Sequence, residues 1–90
     1  MLDPLISIII PVYNGQSFLK RCFSTLEKQN YNNLEIIFID NNSNDNSKEI
    51  IQNYCKSKKK WKVINCLKQG PGFARNKGLN EAKGKYISFL

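Results

Sequence analysis

Apolar and polar positions alternate along the chain in blocks whose periods define its elements. Leu5-Ile6-Ser7-Ile8-Ile9-Ile10-Pro11-Val12 is β-branched and almost continuously apolar, the pattern of a strand covered on both faces. Tyr13-Asn14-Gly15 breaks the run with turn chemistry. Phe18, Leu19, Cys22, Phe23 and Leu26 then recur at helical spacing, which predicts a helix to about Gln29. A polar turn at Asn30-Tyr31-Asn32-Asn33 leads into a second buried strand, Leu34 to Asp40. Asn41 to Ser47 is almost wholly Asn, Ser and Asp, and Asn46 with Glu49 three residues later has the spacing of a helix N-terminal cap. Ile50, Ile51, Tyr54 and Cys55 give that second helix a narrow apolar face. Trp61 to Cys66 alternates as a shorter, more exposed strand near a sheet edge. Gln69-Gly70-Pro71-Gly72 reads as a loop, Phe73 to Ala82 as a third helix with Gly84 as its stop, and residues 85–90 as a fourth strand.

The order is βαβαβαβ. Strands alternating with helices of about 10 to 15 residues imply right-handed crossovers and a parallel sheet covered on both faces, a three-layer, Rossmann-like α/β half-sheet. Ligands of such sheets bind outside the carboxyl ends of the strands, where strand order reverses. That rule directs attention to Val12–Gly15, Asp40–Ser43 and Gln69–Asn76.

With 90 residues there is room for one domain, and 41 % hydrophobic with 23 % charged residues is the balance of a soluble globular chain. No apolar run reaches the roughly 18 to 20 residues of a membrane span, and the N-terminal residues lack a secretory leader, so a cytoplasmic location is expected, with a peripheral place at the inner face of the membrane as a further option. Cys22, Cys55 and Cys66 lack metal-ligand spacing and read as small apolar residues. The chain has no histidine, which removes Ser-His and Cys-His nucleophiles and leaves carboxylate or metal chemistry. Net charge is +7, yet five of the 14 basic residues lie at Lys56, Lys58, Lys59, Lys60 and Lys62. The charge is a loop property, and a nucleic-acid partner is not expected.

Gly70-Pro71-Gly72-Phe73-Ala74-Arg75 lacks the third glycine of the dinucleotide fingerprint and follows the third strand, and no phosphate-loop motif occurs. Arg75, placed in the first turn of the third helix, is unfavourable beside the positive helix end and points to an anionic or polar partner. Asp40 at the end of the second strand is either a turn cap or, with Asn41, an acceptor for a base or ribose. Tyr13 is either a core residue or a ring laid against a base.

Ser7-Ile8-Ile9-Ile10-Pro11-Val12-Tyr13-Asn14, Phe18-Leu19, Ser24-Thr25-Leu26, Gln29, Glu35-Ile36-Ile37, Ile39-Asp40, Ser43, Asp45, Ala74-Arg75-Asn76-Lys77-Gly78-Leu79 and Ala82-Lys83-Gly84-Lys85-Tyr86-Ile87 together resemble the N-terminal half of a family 2 glycosyltransferase. The resemblance covers essentially the whole chain. It implies a GT-A fold with strand order 3-2-1-4, inverting transfer of a sugar from a nucleotide diphosphate sugar, UDP-sugar first, to a saccharide or lipid-linked acceptor, and a place in polysaccharide biosynthesis. By the same resemblance Pro11, Val12, Tyr13 and Asn14 border the base and ribose, Asp40 and Asn41 fall at the aspartate pair ending the second strand, and Gly70, Pro71 and Arg75 lie along the nucleotide. Asn41 departs from the family, which usually has a second aspartate there to accept from uracil.

The family's Asp-x-Asp, which binds Mg²⁺ or Mn²⁺, would begin after Leu90, and its general base lies further on. The expectation is therefore a nucleotide-binding portion, residues 1–90, with no catalytic residue or metal ligand of its own and no activity alone, whose last strand is an exposed edge prone to self-association. A non-catalytic binding module and a basic nucleic-acid binder are the alternative readings.

Overall fold

The computed structural model describes residues 3–90. Its strands are β1 (Ile6–Val12), β2 (Leu34–Asp40), β3 (Trp61–Asn65) and β4 (Tyr86–Phe89), and its helices α1 (Leu19–Glu27), α2 (Ser47–Cys55) and α3 (Pro71–Glu81). All strands are parallel in the order β3-β2-β1-β4, as the resemblance implied. Ile8 pairs with Ile36 and Ile9 with Ile37 at the centre of the sheet.

Because successive strand residues face opposite ways, β1 and β2 feed two cores. Ile10, Val12, Ile36 and Phe38 pack with Leu19, Phe23 and Leu26 of α1 and Ile51 of α2. Ile9, Ile37 and Ile39 pack with Cys66 and Ala74 beneath α3. Two helices on one face and one on the other complete the three layers. Cys66 is buried, Cys22 and Cys55 are half-buried, and all three thiols are free; burial pushes Cys55 up to about 11.

Three local expectations need correction. Asn46 does sit at the N-cap of α2, but its side chain makes no cap bond; Asp45 Oδ1 accepts from the Ser47 N–H at 2.9 Å instead. The third helix begins at Pro71, two residues earlier than the periodicity suggested, because proline's fixed φ suits the first helical position and its missing N–H costs nothing there. Arg75 consequently lies in the second turn, where the helix-end argument for an anion loses its force. Finally, Gly84 does not stop α3, which ends at Glu81; it brings the chain against β1, donating its N–H to Ser7 Oγ at 2.8 Å.

That contact belongs to a small polar network. The Ser7 hydroxyl, fully buried, donates to Glu35 Oε1 at 2.6 Å, and the same oxygen accepts from the Lys83 N–H at 2.9 Å. Burial pushes the Glu35 carboxyl up, but the Lys83 N–H, the Ser7 hydroxyl and the charges of Lys62 and Lys83 together hold it below its ordinary 4.5. Hydrogen bonds from Ser47, and from the Gln16 N–H, hold Asp45 low as well. A carboxyl whose folded pKa lies below its unfolded one stabilises above the unfolded pKa, and that stability is lost as pH falls through the folded value. Urea midpoints measured against pH are therefore expected to fall on acidification below about 4.5, and Glu35→Gln to make that fall shallower. An unchanged slope in the variant would contradict the assignment.

Candidate functional site

The carboxyl ends of β1 and β2 open into a cleft of about 390 Å³ lined by Pro11, Val12, Tyr13, Asn41, Gln69, Gly70 and Pro71. Its size is that of a small-molecule site, roughly 300 to 1,000 Å³. Each wall has a local cause. Pro11 and Val12 end β1, and the Tyr13 ring beyond them is 50 % exposed. Gly70, at φ 139°, turns the β3–α3 loop into α3 in a conformation that side chains avoid. Pro71 then sets the first helical residue over the cleft.

Of the residues singled out in the sequence, Pro11, Val12, Tyr13, Asn41, Gly70 and Pro71 come together here. Asn14, Asp40 and Arg75 do not line the cleft. Asn14, at φ 49°, donates its N–H to Ser43 Oγ at 3.0 Å and accepts from the Asn44 N–H at 2.7 Å. Those bonds begin a series joining the loops after β1 and β2. Gly15 N–H donates to Ser47 Oγ at 2.8 Å, Gln16 N–H to Asp45 Oδ2 at 3.1 Å, and Asn46 N–H to Gln16 Oε1 at 3.1 Å. Asp40 is buried beneath them; its Oδ2 accepts from Ser43 N–H at 3.4 Å, and among the described residues its Oδ1 has no partner. Both residues thus hold the loops after β1 and β2 rather than line the cleft.

Gln69 is the lining residue the sequence reading passed over, although it begins a segment already marked by the strand-end rule. Its Nε2 donates to the Asn42 carbonyl at 3.2 Å, which ties this wall of the cleft to the loop after β2. Asn41 is wholly engaged with the β3–α3 loop: Nδ2 donates to the carbonyls of Cys66 (3.2 Å) and Lys68 (2.9 Å), and Oδ1 accepts from Gly70 N–H (2.9 Å).

The lysine cluster lies at the other end of the sheet. Lys59, Lys60, Lys62 and Lys83 rim a hollow with Trp61 and Glu35. Lys58 is paired with Glu27, which also accepts from the Tyr54 hydroxyl and pushes that phenol up to about 12. Among the described residues no group of three or more His, Cys, Asp or Glu side chains could hold a metal ion, and no helix is long and apolar enough to cross a membrane.

A parallel half-sheet with its cleft at the strand ends defines an α/β ligand-binding unit of the nucleotide-binding kind. The chain belongs to glycosyl transferase family 2, whose profile matches residues 7–90. A glycosyltransferase of Haemophilus influenzae is 47 % identical over 97 % of this chain, which covers 35 % of that protein. The GalNAc(5)-diNAcBac-PP-undecaprenol beta-1,3-glucosyltransferase of Campylobacter jejuni is 36 % identical over 97 % of this chain, which covers 29 % of it. Among solved structures, S. aureus TarS 1-349 in complex with UDP matches 96 % of this chain at 29 % identity and TM-score 0.86, with 26 % of that chain covered. The mannosyltransferase PcManGT of Pyrobaculum calidifontis, solved in complex with GDP-Man and Mn²⁺, has TM-score 0.86 at 20 % identity, a likeness of fold. The chain thus spans about a quarter to a third of the length of these relatives.

Proposed function

We propose that the chain supplies the nucleotide-binding part of an enzyme that transfers a sugar from a nucleotide diphosphate donor, a UDP-sugar, to a saccharide or lipid-linked acceptor. The observation that carries this is the cleft at the ends of β1 and β2, walled by Tyr13 on one side and Gly70–Pro71 on the other, in a member of this family. The half-exposed Tyr13 ring offers a face or edge for a pyrimidine, and Pro11 and Val12 exclude water beside it. The UDP complex of the TarS relative supports uridine as the first base to test.

Among the described residues no group of three or more His, Cys, Asp or Glu side chains could hold the Mg²⁺ or Mn²⁺ that the family resemblance implies. A peripheral place at the inner face of the membrane is a further option, in which the basic rim of Lys59, Lys60, Lys62 and Lys83 is the surface that anionic lipid would attract.

Titration of the amide spectrum with UDP, GDP and a short oligonucleotide tests the reading. UDP is expected to shift Tyr13, Asn41, Gln69 and Gly70. Shifts with the oligonucleotide alone, centred on Lys58 to Lys62, would replace the sugar-donor reading with a nucleic-acid one.

A further inference from the structure

Asn41 is 5 % exposed, and the bonds described above use both its donors and one acceptor position of its oxygen. They meet the β3–α3 loop at Cys66, Lys68 and Gly70, each alternate residue of the segment. Gly70, so held, keeps φ 139° and delivers Pro71 to the first position of α3. The backbone N–H of Asn41 is itself tied to the Val12 carbonyl at 2.8 Å, so the side chain acts from a fixed base on the sheet. An aspartate of the same size could accept from Gly70 but has no donor for two carbonyls, and would set a charge against their oxygens. In this chain the two carbonyls face an amide that can donate to both, where the aspartate usual in the family would offer them no donor.

We propose that Asn41 is a positioning residue: its side-chain amide latches the β3–α3 loop, holding Gln69, Gly70 and Pro71 as the wall that shapes the nucleotide cleft. This rests on the nucleotide reading above and goes beyond the acceptor role toward the base that the resemblance implies for this position. In an Asn41→Asp chain the new carboxyl would be buried against two carbonyl oxygens and have its pKa raised; once protonated, it regains one donor to the loop. The latch is then partly restored in acid. Since the chain has no histidine, the wild type has no side chain that ordinarily titrates between about pH 5 and 8.

The experiment measures UDP-glucose affinity across that range for the wild type, Asn41→Asp and Asn41→Ala, together with hydrogen exchange of the Asn41 Nδ2 protons in the unliganded wild type. Expected are slow exchange of those protons, a flat affinity profile for the wild type, and a uniformly weak Asn41→Ala. Asn41→Asp should be weaker than wild type by roughly tenfold at the alkaline end and recover toward the acid end. Wild-type-like affinity of Asn41→Asp at the alkaline end, or a loss without pH dependence, overturns the proposal. Fast exchange of the Nδ2 protons overturns it too, whether or not either variant folds. If the wild type itself fails to bind UDP-glucose, the nucleotide reading falls and the positioning role with it, while slow Nδ2 exchange would still establish the latch as a structural tie.

Discussion

Gly84→Val is expected to remove most of the chain's stability at room temperature. A Cβ on Gly84 would stand 2.5 Å from Ser7 Oγ, 2.6 Å from Ser7 N and 2.9 Å from the Tyr86 carbonyl oxygen. Two of those atoms are backbone of β1 and β4, so no rotamer change relieves the overlap. The turn must move away, and the Gly84–Ser7 bond and the pairing of β4 with β1 go with it. Overpacking of this kind costs about 3 kcal/mol or more, against a total near roughly 5 kcal/mol for a small domain. Gly78→Ala provides the graded comparison: its Cβ would meet Ile9 Cγ2 at 2.4 Å, but a side chain can yield, and a loss of about 1 to 3 kcal/mol is expected. Urea unfolding followed by circular dichroism checks both. A Gly84→Val chain with a native midpoint would mean that the close approach to β1 is dispensable.

These two glycines also mark where the sequence is hard to read. β1 and β2 are plain because a strand buried on both faces has to be apolar throughout, and Ile9, Ile36, Ile37, Phe38 and Ile39 are each within 1 % of complete burial. The start of α3 is obscure for the opposite reason. Its sheet-facing residues are Ala74 and Gly78, small so that the helix can come close to Ile9, and small residues leave no apolar stripe to read. Gln69-Gly70-Pro71-Gly72 then resembles a turn although Pro71 already belongs to the helix. The cleft was legible in its walls, because strand ends and Gly-Pro turns are marked locally. Its supports were not. Asn14 and Asp45 read as turn residues, and Asp45 does cap Ser47 two positions on, but both also bond about thirty positions away in the other loop. Side chains that cap a distant loop and side chains that cap their own have the same composition.

The 90-residue chain is expected to self-associate at micromolar concentration through β4. Tyr86 and Leu90 donate their N–H groups to the Leu5 and Ile9 carbonyls of β1, so Ile87 and Phe89, alternating with them, turn theirs outward. Every residue of β4 is exposed, including Tyr86 at 54 % and Phe89 at 44 %. Beside the strand, Leu90 and Phe18 border an open groove of about 380 Å³ floored by Ile10 and Pro11. An apolar edge with free backbone donors is a template for another strand, and natural edges are commonly blunted by charge, proline or a bulge. Lys85 stands at the start of β4, but the strand itself, Tyr-Ile-Ser-Phe, carries none of these. The chain's positive charge opposes association only weakly here, since the lysine cluster gathers at β3, on the far side of the sheet. Sedimentation should therefore give a mass above the 10.4 kDa of one chain, with protected amides at Ile87 and Phe89. Ile87→Lys puts a charge in the middle of the edge and is expected to return the chain to a monomer with those amides exchanging fast. A clean wild-type monomer with fast exchange at both positions would show that the edge is tolerated in water as it stands.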